Sequence, residues 1–257
     1  MFDLSKRWPA GLGTRLWWVP AVAALAVLVV ALALDRQVSV WGRGMSEPFL
    51  GFFDWLTLYG ESDWILIPSG ILLVITAPRA FAMRWKLMRT MLWQFSSLYG
   101  FIFLGVGVPS LVSTLVKRAL GRGRPDHFDE FGLLHFQPNW LDWSFQSFPS
   151  GHATTAFALA AVLAFMAPRW TVLWALFAVM VAVSRVVLGM HYPSDVIAGA
   201  ILGVTGAYAI RLVFATRGWT FRLRPDGSIR YRPMSSLRRY LALKQRDIAR
   251  APLQDQP

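Results

Sequence analysis

Residues Leu16–Leu34 read LWWVPAVAALAVLVVALAL, with no ionisable side chain. As an α-helix rising about 1.5 Å per residue, such a run is long enough to cross a hydrocarbon core of about 30 Å. Working outward, further apolar runs recur at Trp64–Ala77, Thr90–Val116, His152–Pro168, Trp170 to about Met190, and Asp195–Ala215. The pattern predicts an all-α integral membrane bundle of six transmembrane helices. Lys6, Arg7 and Arg15 precede the first run, which is longer than the apolar core of about 7–15 residues in a cleaved signal peptide, so a retained span is expected.

The composition agrees: 55% of residues are hydrophobic and 16% charged, which suits lipid better than water. The absence of cysteine excludes disulfides, thiolate nucleophiles and cysteine-based metal sites. A net charge of +12 could point to nucleic acid, but much of the excess follows Ala215, from Arg217 to Arg250, beside a span. That placement predicts a basic cytoplasmic tail held to anionic inner-leaflet lipids, and no nucleic-acid partner.

The expected organisation is a cytoplasmic N-terminus (1–15), a six-span domain (16–215) and the tail (216–257). Asp35–Asp63 reads as a loop with interfacial aromatics, and Pro78 closes a short second span. Gly105, Gly107 and Pro109 interrupt the third span, and Gly199-x3-Gly203 permits close packing in the sixth. In the tail, Thr220–Arg224 and Ser228–Arg232 flank Pro225-Asp226-Gly227 as a hairpin, and Ser235–Arg250 forms an amphipathic basic helix. The basic N-terminus, the Arg79–Arg89 loop, Arg169 and the tail share one side, which the positive-inside rule makes cytoplasmic. The loops after the third and fifth spans then face the opposite side. Lys117, Arg118, Arg122 and Arg124 stand there against the charge trend, as though an anion holds them.

Those loops carry three polar clusters: Lys117-x6-Arg124-Pro125, Pro149-Ser150-Gly151-His152, and Ser184-Arg185-x5-His191-x3-Asp195. Singly, each has a plain explanation. Lys117 and Arg124 could snorkel as flanking cations; Ser150 could merely cap a helix, although a helix N-terminus also attracts anions. Arg185 within an apolar span is harder to dismiss, because a buried intramembrane cation demands a partner. Ser184 and His191, seven apart, would share a face if the helix continued, and Asp195 could fix the tautomer of His191. Together the clusters supply a phosphate cradle (Lys117, Arg124, Ser150, the Gly151 N–H, Arg185), a nucleophile with its orienter (His191, Asp195) and a second imidazole as acid (His152). Phosphoryl transfer asks for this combination of positioning and positive charge.

The set KxxxxxxRP, PSGH and SRxxxxxHxxxD resembles the three-part signature of the type 2 phosphatidic acid phosphatase superfamily, and all its positions are matched here. The resemblance implies a phosphohistidine on His191, leaving-group protonation by His152, and no metal or cofactor. The expected activity is hydrolysis of a lipid phosphate or pyrophosphate at the periplasmic face of a bacterial inner membrane. Undecaprenyl pyrophosphate, phosphatidylglycerophosphate, phosphatidate and lipid A phosphate are the candidates, with a lean to polyprenyl or glycerolipid phosphates. A lipid phosphotransferase and a non-catalytic phosphate binder or transporter remain as alternatives. Asp126, His127, Asp129 and Glu130 lack a strong metal spacing and read as a solvated acidic loop.

Overall fold

The computed structural model describes residues 4–9, 12, 15, 17–42, 47–138, 140–232 and 235–250. The chain forms α1 (Trp18–Gly42), α2 (Glu47–Thr57), α3 (Asp63–Ala82), α4 (Lys86–Leu120), a single turn α5 (Phe128–Phe131), α6 (Gly151–Met166), α7 (Thr171–Val187) and α8 (Pro193–Thr216). A hairpin of β1 (Phe221–Leu223) and β2 (Ile229–Tyr231) and the helix α9 (Ser235–Arg250) follow. Among the described residues, five helical stretches are long and apolar enough to span a bilayer, while α6 is shorter, at 16 residues.

Several boundaries differ from the sequence reading. The first helix does not stop at Leu34 but continues through Asp35 to Gly42. Asp35 is completely buried and bound by protein donors, so its charge never meets lipid and the helix need not end before it. The expected loop beyond it instead contains α2, whose Phe52 and Trp55 are exposed and whose Phe53 and Leu56 pack inward. Pro78 does not close the second span; α3 contains both Pro68 and Pro78. A proline removes one backbone hydrogen bond, but in lipid the flanking groups gain nothing by leaving the helix. At the other end, α7 stops at Val187, before Met190.

The short α6 sits in the middle of the bundle and contacts α4, α7 and α8. Its neighbours supply the apolar length that it lacks, so ten of its residues are buried. Gly199 and Gly203 bring α8 against it: a Cβ at Gly199 would stand 2.5 Å from the Ser150 carbonyl oxygen, and one at Gly203 would overlap the Thr154 backbone. The small-residue pair therefore packs helices within one chain.

The hairpin expected in the tail is present, antiparallel, with Phe221 opposite Tyr231. It belongs to the bundle rather than to its surface. Phe221 is buried against Phe101 and Phe165, and Ile229 joins the same core. The N-terminal segment reaches the hairpin too, since the Ile229 N–H donates to the Ser5 carbonyl. The amphipathic helix of the tail also forms, and Ser236 on it bonds Gln94 of α4.

Candidate active site

All three polar clusters lie at one end of the bundle. Lys117 stands in the last turn of α4, which ends at Gly121 in the left-handed region (φ 64°) with its N–H on the Lys117 carbonyl. A side chain at Gly121 would also strike the Gln137 carbonyl, so glycine is required twice over. The following segment folds back: the Arg124 N–H donates to the Ser144 carbonyl and the Ser147 N–H to the Arg122 carbonyl. Ser150 then caps α6, its Oγ accepting from the Ala153 N–H, while its own N–H donates to the Asp195 carbonyl at 2.9 Å. That bond ties the second cluster directly to the third.

His191 does not share a helical face with Ser184. After Val187 the chain turns at Gly189 (φ 66°), and Ser184 Oγ donates to its own helix at the Val181 carbonyl. Asp195 does open a helix: its Oδ2 accepts from the Tyr192 N–H at 3.0 Å. The same oxygen lies 3.7 Å from His191 Nδ1, and Ser147 Oγ bridges the two, 2.5 Å from Asp195 and 3.4 Å from His191. With Nδ1 facing the carboxylate, Nε2 is the nitrogen left for chemistry. His191 lies in the connection between α7 and α8, and burial pushes its pKa down to about 4 against the opposing pull of Asp195. The ring is therefore neutral at physiological pH.

The cations converge on this site. Arg185 Nη1 donates to Thr57 Oγ1 at 2.7 Å, and Arg124 lies over the Trp143 ring. Among the described residues, the Nε atoms of both arginines are buried without a hydrogen-bond partner, which leaves two charged N–H groups for an anion to satisfy. Lys117 feels the charges of Arg124 and Arg185, and its Nζ lies 3.8 Å from where a Gly151 Cβ would stand. A cavity of about 310 Å³ is lined by Lys117, Gly151, His152 and Thr155, with Glu61 and Asp63 on another wall. His152 enters this cavity and lies within electrostatic reach of Arg185, His191, Lys117 and Arg124. Around the site, Trp140, Leu141 and Trp143 are exposed, as an aromatic rim facing lipid requires.

A further expectation needs correction. Arg122, grouped above with the outer cations awaiting an anion, is 1% exposed and already holds two protein carboxylates. His127 is engaged with aromatic rings, stacking on Phe145 at 4.7 Å and lying 3.8 Å from Glu130, as an ordinary loop side chain. The sequence reading also missed Asp35, Ser147, Ser194 and Thr57. Only Asp35 left a signal, as a carboxylate at the end of an apolar run.

The family model of the PAP2 superfamily matches residues 98–219, which contain all three clusters. A lipid A 1-phosphatase of Rhizobium johnstonii is 35% identical over 88% of this chain and 93% of its own length. The chain belongs to the PAP2 superfamily. A lipid A 1-phosphatase of Rhizobium etli is 37% identical over 79% of this chain and 86% of its own. A lipid A 4'-phosphatase of Bacteroides thetaiotaomicron is 25% identical over 75% of this chain and 81% of its own. With its apolar helices, this PAP2 member is an integral membrane phosphatase acting on lipid phosphates.

Proposed function

We propose that this enzyme removes the 1-phosphate of a lipid A-type saccharolipid at the periplasmic face of a bacterial inner membrane, through a phosphohistidine. The observation that carries the chemistry is His191, buried with Nδ1 toward Asp195 amid cations that have unsatisfied N–H groups. His191 Nε2 attacks phosphorus, and the N–P bond forms as the P–O bond to the sugar breaks. His152 gives its proton to the departing oxygen. Water then attacks the phosphohistidine and returns a proton to His152, which frees His191 and inorganic phosphate. Lys117, Arg124, Arg185 and the N–H groups opening α6 stabilise the equatorial oxygens throughout.

The relatives favour a saccharolipid over the polyprenyl and glycerolipid phosphates that motif reading preferred. Similarity to the two lipid A 1-phosphatases extends over most of the chain, whereas the decaprenylphosphoryl-5-phosphoribose phosphatase of Mycobacterium tuberculosis matches 39% of it. Glu61, Ser62 and Asp63 on the cavity wall offer acceptors for sugar hydroxyls. The periplasmic assignment rests on the basic Arg79–Arg89 loop and tail at the other end.

The test is phosphate release from purified lipid A, undecaprenyl pyrophosphate, phosphatidylglycerophosphate and phosphatidate in detergent, with His191→Ala as the blank. Lipid A 1-phosphate should be hydrolysed fastest and His191→Ala should lose turnover by about a thousandfold or more. Faster release from a glycerolipid would overturn the substrate, and full activity of His191→Ala would overturn the nucleophile.

A further inference from the structure

Asp35 lies outside the three clusters, on α1, yet is wired to the catalytic carboxylate. Arg122 Nη1 donates to Asp195 Oδ1 at 2.5 Å and to Ser194 Oγ at 2.7 Å, and its Nη2 donates to Asp35 Oδ2 at 2.9 Å. Asp35 also accepts from the Ser194 N–H at 2.9 Å and from Ser194 Oγ at 2.6 Å. Three donors on the two oxygens of Asp35 describe a carboxylate, which accepts only. All of these side chains are buried. Carboxylates placed this deep are costly unless paired, and here two of them share one guanidinium.

The formal charge of the trio decides what Asp35 does. Arg122 alone would cancel Asp195, and His191 would face a neutral pair as its ring takes a phosphoryl group and becomes cationic. With Asp35 ionised, the trio keeps one net negative charge beside that ring.

We infer that Asp35 is a positioning residue for phosphoryl transfer: it holds Arg122 in place and restores to the Asp195 side the negative charge that Arg122 removes. The effect belongs to the transition state and the phosphoenzyme, where His191 is cationic. Ground-state substrate binding through Lys117, Arg124 and Arg185 is untouched. The inference rests on the proposed role of His191 as nucleophile.

The test compares wild type, Asp35→Asn and His191→Ala as full-length proteins in detergent, measuring kcat, KM and inhibition by vanadate. Asp35→Asn keeps the size of the side chain and removes its charge. Its kcat should fall by about 10–100-fold and its vanadate inhibition constant should rise in step, because vanadate bonded to His191 mimics the five-coordinate phosphorus, while KM stays within about twofold of wild type. A structural lesion would instead raise KM as kcat falls, and that result, or a vanadate inhibition constant unchanged beside a lowered kcat, overturns the inference. So does an unaltered kcat in Asp35→Asn beside an inert His191→Ala, which leaves the nucleophile assignment standing. Hydrolysis by His191→Ala overturns both. If Asp35→Asn does not accumulate in membranes, Asp35→Ser decides, since it also removes the charge and leaves a hydroxyl beside Arg122. A kcat lowered about tenfold at constant KM supports the inference, and an unaltered kcat overturns it.

Discussion

Two arginines, Arg122 and Arg211, are each 1% exposed, and they lie at opposite ends of the bundle. Arg122 bridges carboxylates from α1 and α8 beside the histidine pair. Arg211, near the end of α8, donates to the main-chain carbonyls of Leu4 and Lys6 and lies over the rings of Phe165 and Tyr208. Both resolve the same physical problem, a guanidinium inside an apolar bundle, with different partners. Carbonyls and ring faces are fixed dipoles and quadrupoles, well suited to anchoring the N-terminal segment. Carboxylates carry formal charge, and under the proposed mechanism a charge next to Asp195 acts on the reaction. Burial of an arginine therefore does not by itself mark function; the charge of its partners does.

The most damaging way to probe this contrast is Arg122→Gln, which leaves Asp35 and Asp195 buried together without their cation. Loss of kcat by about a hundredfold or more is expected, read by single-turnover phosphate release. Near-normal turnover would reduce Arg122 to the same anchoring role as Arg211. Next in size is His152→Ala. It should lower hydrolysis of a lipid alkoxide ester about a hundredfold and of p-nitrophenyl phosphate about tenfold or less, because nitrophenolate leaves without a proton. Equal losses on both substrates would remove His152 from the acid role.

At the opposite end, Arg211→Met should leave kcat within about twofold. It should destabilise the protein by about 1–3 kcal/mol, since it leaves two part-buried carbonyls short of a donor. Thermal unfolding in detergent checks this, and a selective loss of kcat would break the comparison. The smallest effect is acid sensitivity at the site end. His191 titrates at about 4 when folded and near 6.5 when unfolded, so between these values the unfolded chain binds the extra proton. Stability should fall as pH drops through that window, by up to about 1.4 kcal/mol per unit, and the fall should be absent in His191→Ala. A wild type and variant with parallel pH dependence would show that His191 is not held neutral.

Much of this was legible along the chain. The apolar runs placed α1, α3, α4, α7 and α8 to within several residues, because a bilayer imposes length and excludes charge. Pro78 and Asp35 misled as end signals. Both rules assume that water or lipid surrounds the residue, and Asp35 instead meets Ser194 and Arg122. The residues proposed to bind phosphate could be named along the chain too, since cations and histidines at span ends have few other uses. Ser184 and His191 were placed on one face by assuming an unbroken helix, and Gly189 breaks it.

The sequence by itself determined the membrane class, the order of the spans and the chemistry that the three clusters could perform, since periodicity and residue type are local properties. Tertiary structure decided which charges meet. Asp35 and Arg122 are 87 positions apart and Arg122 and Asp195 are 73 apart. The KxxxxxxRP spacing singles out Arg124, which keeps a buried N–H unsatisfied, but nothing local shows that its neighbour Arg122 is held by protein carboxylates. Electrostatic partnership depends on distance in space, and only the packing of α1, α4 and α8 sets that distance.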